Sequence, residues 1–184
     1  MITLRPLTID DASQTYLDWL NDPEVSRYRA PRKSAMTMDA LREWIENIPE
    51  RGDKVFAVCA DGRHIGNIAL NTIVDGSAEL SIMIGAKDVW GRGYGSDAIR
   101  LITRYGFDTL GLDRLWAESP NPAFNAAVRK LGWKQEAPRR NEHFDLECWS
   151  KILVPNDLAH EDAICAVAVD DKAVVAVALR RIDG

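Results

Sequence analysis

Residues 79–98 read Glu79-Leu80-Ser81-Ile82-Met83-Ile84-Gly85-Ala86-Lys87-Asp88-Val89-Trp90-Gly91-Arg92-Gly93-Tyr94-Gly95-Ser96-Asp97-Ala98. The apolar run up to Ile84 reads as a strand, and Ile99, Ile102, Gly106 and Leu110 continue beyond it at helical spacing. Between them lie Gly91, Gly93 and Gly95 at alternate positions. Glycine lets the backbone curl so that successive N–H groups face one point. The helix that follows adds its unpaired N-terminal N–H groups and the positive end of its dipole. Arg92 contributes a full charge on a planar donor fork. Together these features suit a pyrophosphate, although spacing alone is also met by a plain tight connection. The Walker lysine is absent, and the glycines run G-x-G-x-G rather than G-x-G-x-x-G. The preceding strand also belongs to an antiparallel meander, which disfavours a Rossmann nucleotide site.

Working outward, Ile2 to Leu7 reads as a first strand and Thr8 as the cap of a helix carrying Ala12, Tyr16, Leu17 and Leu20 on one face. Asp22-Pro23 restarts a short helix, residues 30–34 form a basic loop, and Thr37 caps a helix that ends around Pro49. The period then changes. Val55 to Ala60, His64 to Leu70 and Ala78 to Ile84 form three antiparallel strands joined at Asp61-Gly62 and Asp75-Gly76. After the helix from Gly95 to Leu110 come a strand from Arg114 to Ser119, a helix from Ala123 to Leu131 closed by Gly132, and strands at 133–136 and 144–154. This order predicts an α/β (α+β) fold with a mixed, mostly antiparallel central sheet flanked by helices. Residues 1–154 read as one domain and 155–184 as a C-terminal extension, in which 164–169 and 174–179 alternate like a hairpin around Asp170-Asp171-Lys172. An alanine-rich helix is the other reading of that extension. An apolar hairpin edge needs covering, by the domain or by a second subunit, and a homodimer through the extension is the expectation.

The 184 residues are 46% hydrophobic and 28% charged, an ordinary globular composition. A net charge of −5 argues against nucleic-acid or membrane partners. No run approaches the ~20 apolar residues of a membrane-spanning helix, and the start of the chain has no secretory pattern. Cys59, Cys148 and Cys165 are far apart and lack metal-ligand spacing, so no metal is expected and a reducing, cytoplasmic setting is.

The segments 79–85 and 90–96 resemble the GNAT N-acetyltransferase superfamily. Asn121, followed eleven residues later by Gly132-Trp133, resembles that family's N-…-K-L-G-F segment. Leu4-Arg5-Pro6-Leu7 and Trp19-Leu20-Asn21-Asp22-Pro23-Glu24-Val25 are similar to its ribosomal-protein and amino-sugar acetyltransferase branch. The sequence departs at Trp90, where a glutamine or arginine is usual, and at Phe124, where a serine often sits. Val128 occupies the position at which many relatives carry a tyrosine acid, so the resemblance supplies no such acid here.

The resemblance implies acetyl-CoA as cosubstrate, lying in an opening between the strands 78–84 and 114–119. Backbone groups of Ile82, Met83 and Ile84 would pair with the pantetheine arm, those of Arg92, Gly93, Tyr94, Gly95 and Ser96 would hold the pyrophosphate, and Asn121 would bond the pantetheine side. An attacking alkylammonium must first lose a proton, which calls for a base. Glu79 is the first candidate and Glu118 the second, each also readable as a solvated strand carboxylate. Trp19, Arg27 and Tyr28, with Arg29, Arg32 and Lys33 nearby, form an aromatic and basic group facing the acceptor. They read either as a platform for a nucleotide-linked sugar or as helix packing beside a solvated loop. The expected activity is acetyl transfer to the amine of a small molecule, an amino sugar or nucleotide-linked amino sugar. The rival expectations are a protein N-terminus, as in ribosomal-protein acetylation, and a non-catalytic acyl-CoA sensor.

Overall fold

A computed structural model describes residues 1–153, 164–166 and 177–179. The strands are β1 (Ile2–Pro6), β2 (Lys54–Ala60), β3 (Arg63–Val74), β4 (Ser77–Ile84), β5 (Arg114–Ser119), β6 (Lys134–Gln135), β7 (Arg139–Arg140), β8 (Asp145–Ile152), β9 (Ile164–Ala166) and β10 (Val177–Leu179). The helices are α1 (Gln14–Asn21), α2 (Met38–Glu46), α3 (Ile48–Arg51), α4 (Tyr94–Arg104) and α5 (Pro122–Lys130). The sheet order is β6-β8-β5-β4-β3-β2-β1-β10-β9, with β7 on β8. Every pairing is antiparallel except β4 with β5. The expected mixed, mostly antiparallel sheet flanked by helices is what the chain forms.

The sheet has two packed faces. On one, Ile99, Leu101 and Ile102 of α4 and Val128 of α5 meet Leu4, Val58, Ile68, Leu70, Leu80 and Leu115. On the other, Tyr16 and Leu20 of α1 and Leu41 and Ile45 of α2 cover Val55, Ala57, Cys59 and Ala69. Strand alternation sends neighbouring residues to opposite cores, which is why the central strands read as nearly continuous apolar runs.

Three local readings change. The helix expected from Thr8 is two pieces: Thr8 and Asp11 cap a 3-10 turn at Ile9–Asp11, and Ser13 then starts α1, its Oγ accepting from the Tyr16 N–H at 3.2 Å. Asp22-Pro23 opens one helical turn rather than a helix. Asp22 Oδ1 accepts from the N–H groups of Glu24 and Val25, its carbonyl oxygen accepts from the Ser26 N–H, and the chain then turns again. Between the two strands expected at 133–136 and 144–154, which form as β6 and β8, lies a further short strand, β7, and both β6 and β7 pair with β8.

In the extension, β9 and β10 pair antiparallel with Ala178 opposite Cys165. β10 also pairs with β1 of the same chain, Thr3 opposite Ala178 and Leu4 opposite Val177. The hairpin therefore covers the β1 edge from within. The rest of the expected hairpin, 167–169 and 174–176, lies outside the described residues.

Candidate active site

The site begins where β4 and β5 part. Their register holds at Ser77–Arg114, Ala78–Leu115 and Glu79–Trp116, and no further. Beyond Glu79, β4 stays on β3 as far as Ile84 while β5 follows β8 as far as Ser119. A cleft of about 930 Å³ opens there, lined by β4 from Glu79 onward, by the glycine turn and by residues 118–124. The β4 edge from Leu80 to Ile84 thus has no partner strand on this side among the described residues, and its backbone groups are available to a ligand. One of them is already used: Ile84 O accepts from the Trp90 indole N–H at 2.8 Å.

The glycine turn forms the far wall. Gly93 sits at φ +84° as the residue before α4, a conformation that costs an L side chain strain. It provides no side chain to cap the helix, and the first helical bond runs from the Asp97 N–H to Gly93 O. The N–H groups of Tyr94, Gly95 and Ser96 are left facing outward at the positive end of an 11-residue helix. Gly93, Tyr94, Gly95 and Ser96 all line the cleft. Arg92 does not: it is exposed, and its N–H is turned toward Val89 O at 3.4 Å. Of the segment expected to meet the pyrophosphate, residues 93–96 line the cleft and Arg92 does not. Asn121 also lines the cleft, but its Oδ1 caps α5 through the Ala123 N–H at 3.0 Å, so its free group is the amide NH2. The donor set and the open strand edge fit the diphosphate and the extended, amide-bearing arm of coenzyme A.

The two carboxylates stand on the α1–α2 face. Residues opposite one another in a strand pair share a face, and so do residues two or four apart on one strand. Glu79 is opposite Trp116, and Glu118 lies two residues beyond Trp116. Met83, four residues beyond Glu79, packs against the α1–α2 core. Leu80, Ile82, Ile84, Leu115 and Ala117 point the other way, toward α4 and α5. Glu79 makes no ion pair or hydrogen bond among the described residues. Burial, then the charges of Glu118 and Asp53, raise its pKa above the ordinary glutamate value. Glu118 is bonded by Arg139 Nη1 at 2.5 Å. One carboxylate is unpartnered and poised to take a proton, and the other is tied down.

The mouth of the cleft carries Arg27 over the Tyr28 ring, 4.8 Å to the centroid, with Arg29 and the half-exposed Trp44 beside them. Glu24 also lies here but is held by Lys87 at 3.1 Å. Tyr16 reaches the cleft from α1, and burial pushes its phenol up to about 12, so it stays protonated. Trp19 is not in this cleft. Its ring lies against Gly85, where a Cβ would come within 2.1 Å of the indole, and edge-on to His64 at 5.2 Å. It is a packing residue, and it makes glycine obligatory at position 85. Asn67 on β3, which the sequence reading left out, also lines the cleft at 8% exposure. A polar residue inside the apolar run Ile65-Gly66-Asn67-Ile68-Ala69-Leu70 was the available signal for it.

A profile described as the acetyltransferase (GNAT) domain matches residues 1–134. The chain belongs to the GNAT acetyltransferase family. It is 28% identical over 149 residues to the N-acetyltransferase p20 of Bacillus licheniformis, covering 76% of this chain and 83% of that one. It is 29% identical over 150 residues to the spermidine N(1)-acetyltransferase of Escherichia coli, covering 78% of each. The solved spermidine N-acetyltransferase of Vibrio cholerae, bound to CoA and spermine, superposes with a TM-score of 0.73 at 23% identity, over 82% of this chain and 95% of that one. This GNAT protein is an acyltransferase that uses acetyl-CoA.

Proposed function

We propose that this enzyme acetylates the amine of an amino sugar, one carried on a nucleotide, with Glu79 as the base. The observation that carries the reading is the unpartnered, proton-attracting Glu79 carboxylate on the α1–α2 face at the point where β4 and β5 separate. Acetyl-CoA supplies the acetyl group as an activated thioester. The N–H groups of residues 94–96 would hold its diphosphate, and the free β4 edge beyond Glu79 its arm. Glu79, directly or through a water, removes the proton that an alkylammonium must lose before its nitrogen has a lone pair to donate. A backbone N–H on the free β4 edge is available to a developing oxyanion. The C–S bond breaks and coenzyme A leaves as the thiolate, which takes its proton from water, because Val128, aliphatic and fully buried, has none to give.

The acceptor class rests on the mouth. A polyamine would bring several cations to a cleft in which Glu24 and Glu118 are already paired and Arg27 and Arg29 are in place. Tyr28, with Arg27 over its ring, and Trp44, with Arg51 over its ring, instead bring aromatic surface suited to a sugar or base, and Arg27 and Arg29 suit its phosphates. Release of coenzyme A thiol from acetyl-CoA over a panel tests this. The panel holds UDP-linked amino sugars, free amino sugars, spermidine, aminoglycosides and peptides with free N-termini. The highest kcat/KM is expected with a nucleotide-linked amino sugar. A higher value with spermidine or a peptide refutes the acceptor assignment, and binding of acetyl-CoA with no turnover at all favours an acyl-CoA sensor.

A further inference from the structure

Two donors on the α1–α2 face are not used by the chemistry at Glu79. The first is Asn67, over nine-tenths buried and opposite Met83 in the β3–β4 register. His64 Nε2 lies 2.9 Å from both Gly66 O and Asn67 Oδ1. A backbone carbonyl only accepts, so Nε2 carries the hydrogen, and the Asn67 atom facing it is the oxygen. That turns Nδ2 away from His64, and Nδ2 has no hydrogen-bond partner among the described residues. The imidazole that sets this orientation is held in turn. Tyr16 and Trp19 stand edge-on to it at 5.8 and 5.2 Å, and its Nδ1 is 3.9 Å from Asp11 Oδ1, a carboxylate gripped by both Arg5 nitrogens. A buried donor kept unpaired by a fixed scaffold calls for a partner that arrives with a ligand.

The second donor is Arg29. The residue is exposed and lines the cleft, and its Nη1 donates to Met83 Sδ at 3.5 Å, a weak acceptor. No carboxylate among the described residues pairs with it, and desolvation together with Arg32 pulls its pKa down. Even so an arginine stays charged. A cation resting on a thioether and facing a second cation lacks an anion. Met83 lies between the two donors, and its unbranched side chain is the part best able to move aside.

We propose that Asn67 Nδ2 and the Arg29 guanidinium form a subsite at Met83 that binds a phosphate of the acceptor. The proposal rests on the nucleotide-linked amino-sugar reading and assigns its specificity to these two residues. Glu79 and Met83 are four residues apart on one face of β4, roughly 13 Å at the rise of a strand. An α-amino acid, with its amine and carboxylate on one carbon, does not span that separation. An amino sugar whose ring separates the amine from a diphosphate fits it far better, and a polyamine brings no oxygen to either donor.

The test compares one amino sugar in three forms, UDP-linked, as its 1-phosphate and free, for the natural enzyme, Asn67→Asp and Arg29→Met. Asn67→Asp keeps an oxygen for His64, replaces the donor with a second oxygen and adds a negative charge that would repel a phosphate, whereas Arg29→Met removes a donor without adding a charge. In each variant KM for the UDP-linked sugar should rise about tenfold or more, toward that of the free sugar. KM for the free sugar and for acetyl-CoA should stay within about twofold, and the melting temperature of Arg29→Met should hold. If the 1-phosphate loses as much as the UDP-linked form, the phosphate next to the sugar is the one bound; if only the UDP-linked form loses, it is the phosphate next to the nucleoside. An unchanged preference for the UDP-linked sugar overturns the subsite while leaving the acceptor reading intact, as does an equal rise for the free sugar or a rise for acetyl-CoA. If none of the three forms is acetylated, the acceptor reading and the subsite fall together.

Discussion

Glu79 and Glu118 are the same kind of group on the same face of adjacent strands, and their surroundings separate their roles. Glu118 accepts a 2.5 Å bond from Arg139, whereas Glu79 has burial and a neighbouring negative charge around it. Replacing Glu118 by Gln should therefore change kcat by less than about tenfold in a steady-state assay, well below the 10²–10⁴ typical of a proton-transfer group. Glu79 also has a stability signature. Its folded pKa is raised, so its favourable contribution is complete below the unfolded pKa and is lost as pH rises through the folded one. Glu79→Gln should melt higher than the natural protein at pH 7, with the difference vanishing below about pH 4, near the ordinary glutamate pKa. Both carboxylates were legible as strand residues beside the glycine turn. The sequence put Glu79 ahead of Glu118, but the contact that separates them physically was not legible, because Arg139 lies 21 residues from Glu118 on another strand. Trp19 stayed open between two readings for a related reason: an aromatic residue on an amphipathic helix does not declare whether it will face a cleft or a glycine.

At the scale of elements, the glycine turn and α4 were readable because glycine spacing and helix periodicity are local signals. What they deliver is a helix start with no side chain over it. Gly93→Ala would force an alanine to φ +84°, a left-handed conformation costing about 1–2 kcal/mol. The turn can relieve that strain only by re-aiming the N–H groups of residues 94–96. KM for acetyl-CoA should rise by about tenfold or more while KM for the acceptor changes little, as read from initial rates with each substrate varied. The elements that were misread lie where short polar residues compete with helix, at Thr8 and Ser13 and again at Asp22. A side-chain oxygen there satisfies one turn and stops it.

Over the whole molecule, the parting of β4 and β5 is the feature from which the site follows. It opens the cleft beside the start of α4, while Glu79, Glu118, Asn67 and Met83 stand on the side of α1 and α2. The alternation of strand residues made the two faces legible. The separation itself was known only through resemblance, since nothing local marks where a parallel pair stops pairing. The extension was read as a hairpin whose edge is covered by the domain or by a second subunit, and β10 lies against β1 of its own chain. Removing 155–184 would leave β1 an unpaired edge. A lower melting temperature is expected, and a twofold lower mass by light scattering follows if β9 is where two copies meet. An unchanged mass would remove the extension from any interface.

The central claim is that Glu79 takes the proton from the acceptor amine. The most direct test is the pH dependence of acetyl transfer for the natural enzyme and for Glu79→Gln, with the acceptor that turns over fastest. The natural enzyme should lose kcat as pH falls through the raised Glu79 pKa, an acid limb lying above the ordinary glutamate range. Glu79→Gln should lose about 10²–10⁴ in kcat at neutral pH, keep its KM for acetyl-CoA, and lack that limb. A variant that keeps both the rate and the limb would contradict the claim and place the base elsewhere in the cleft.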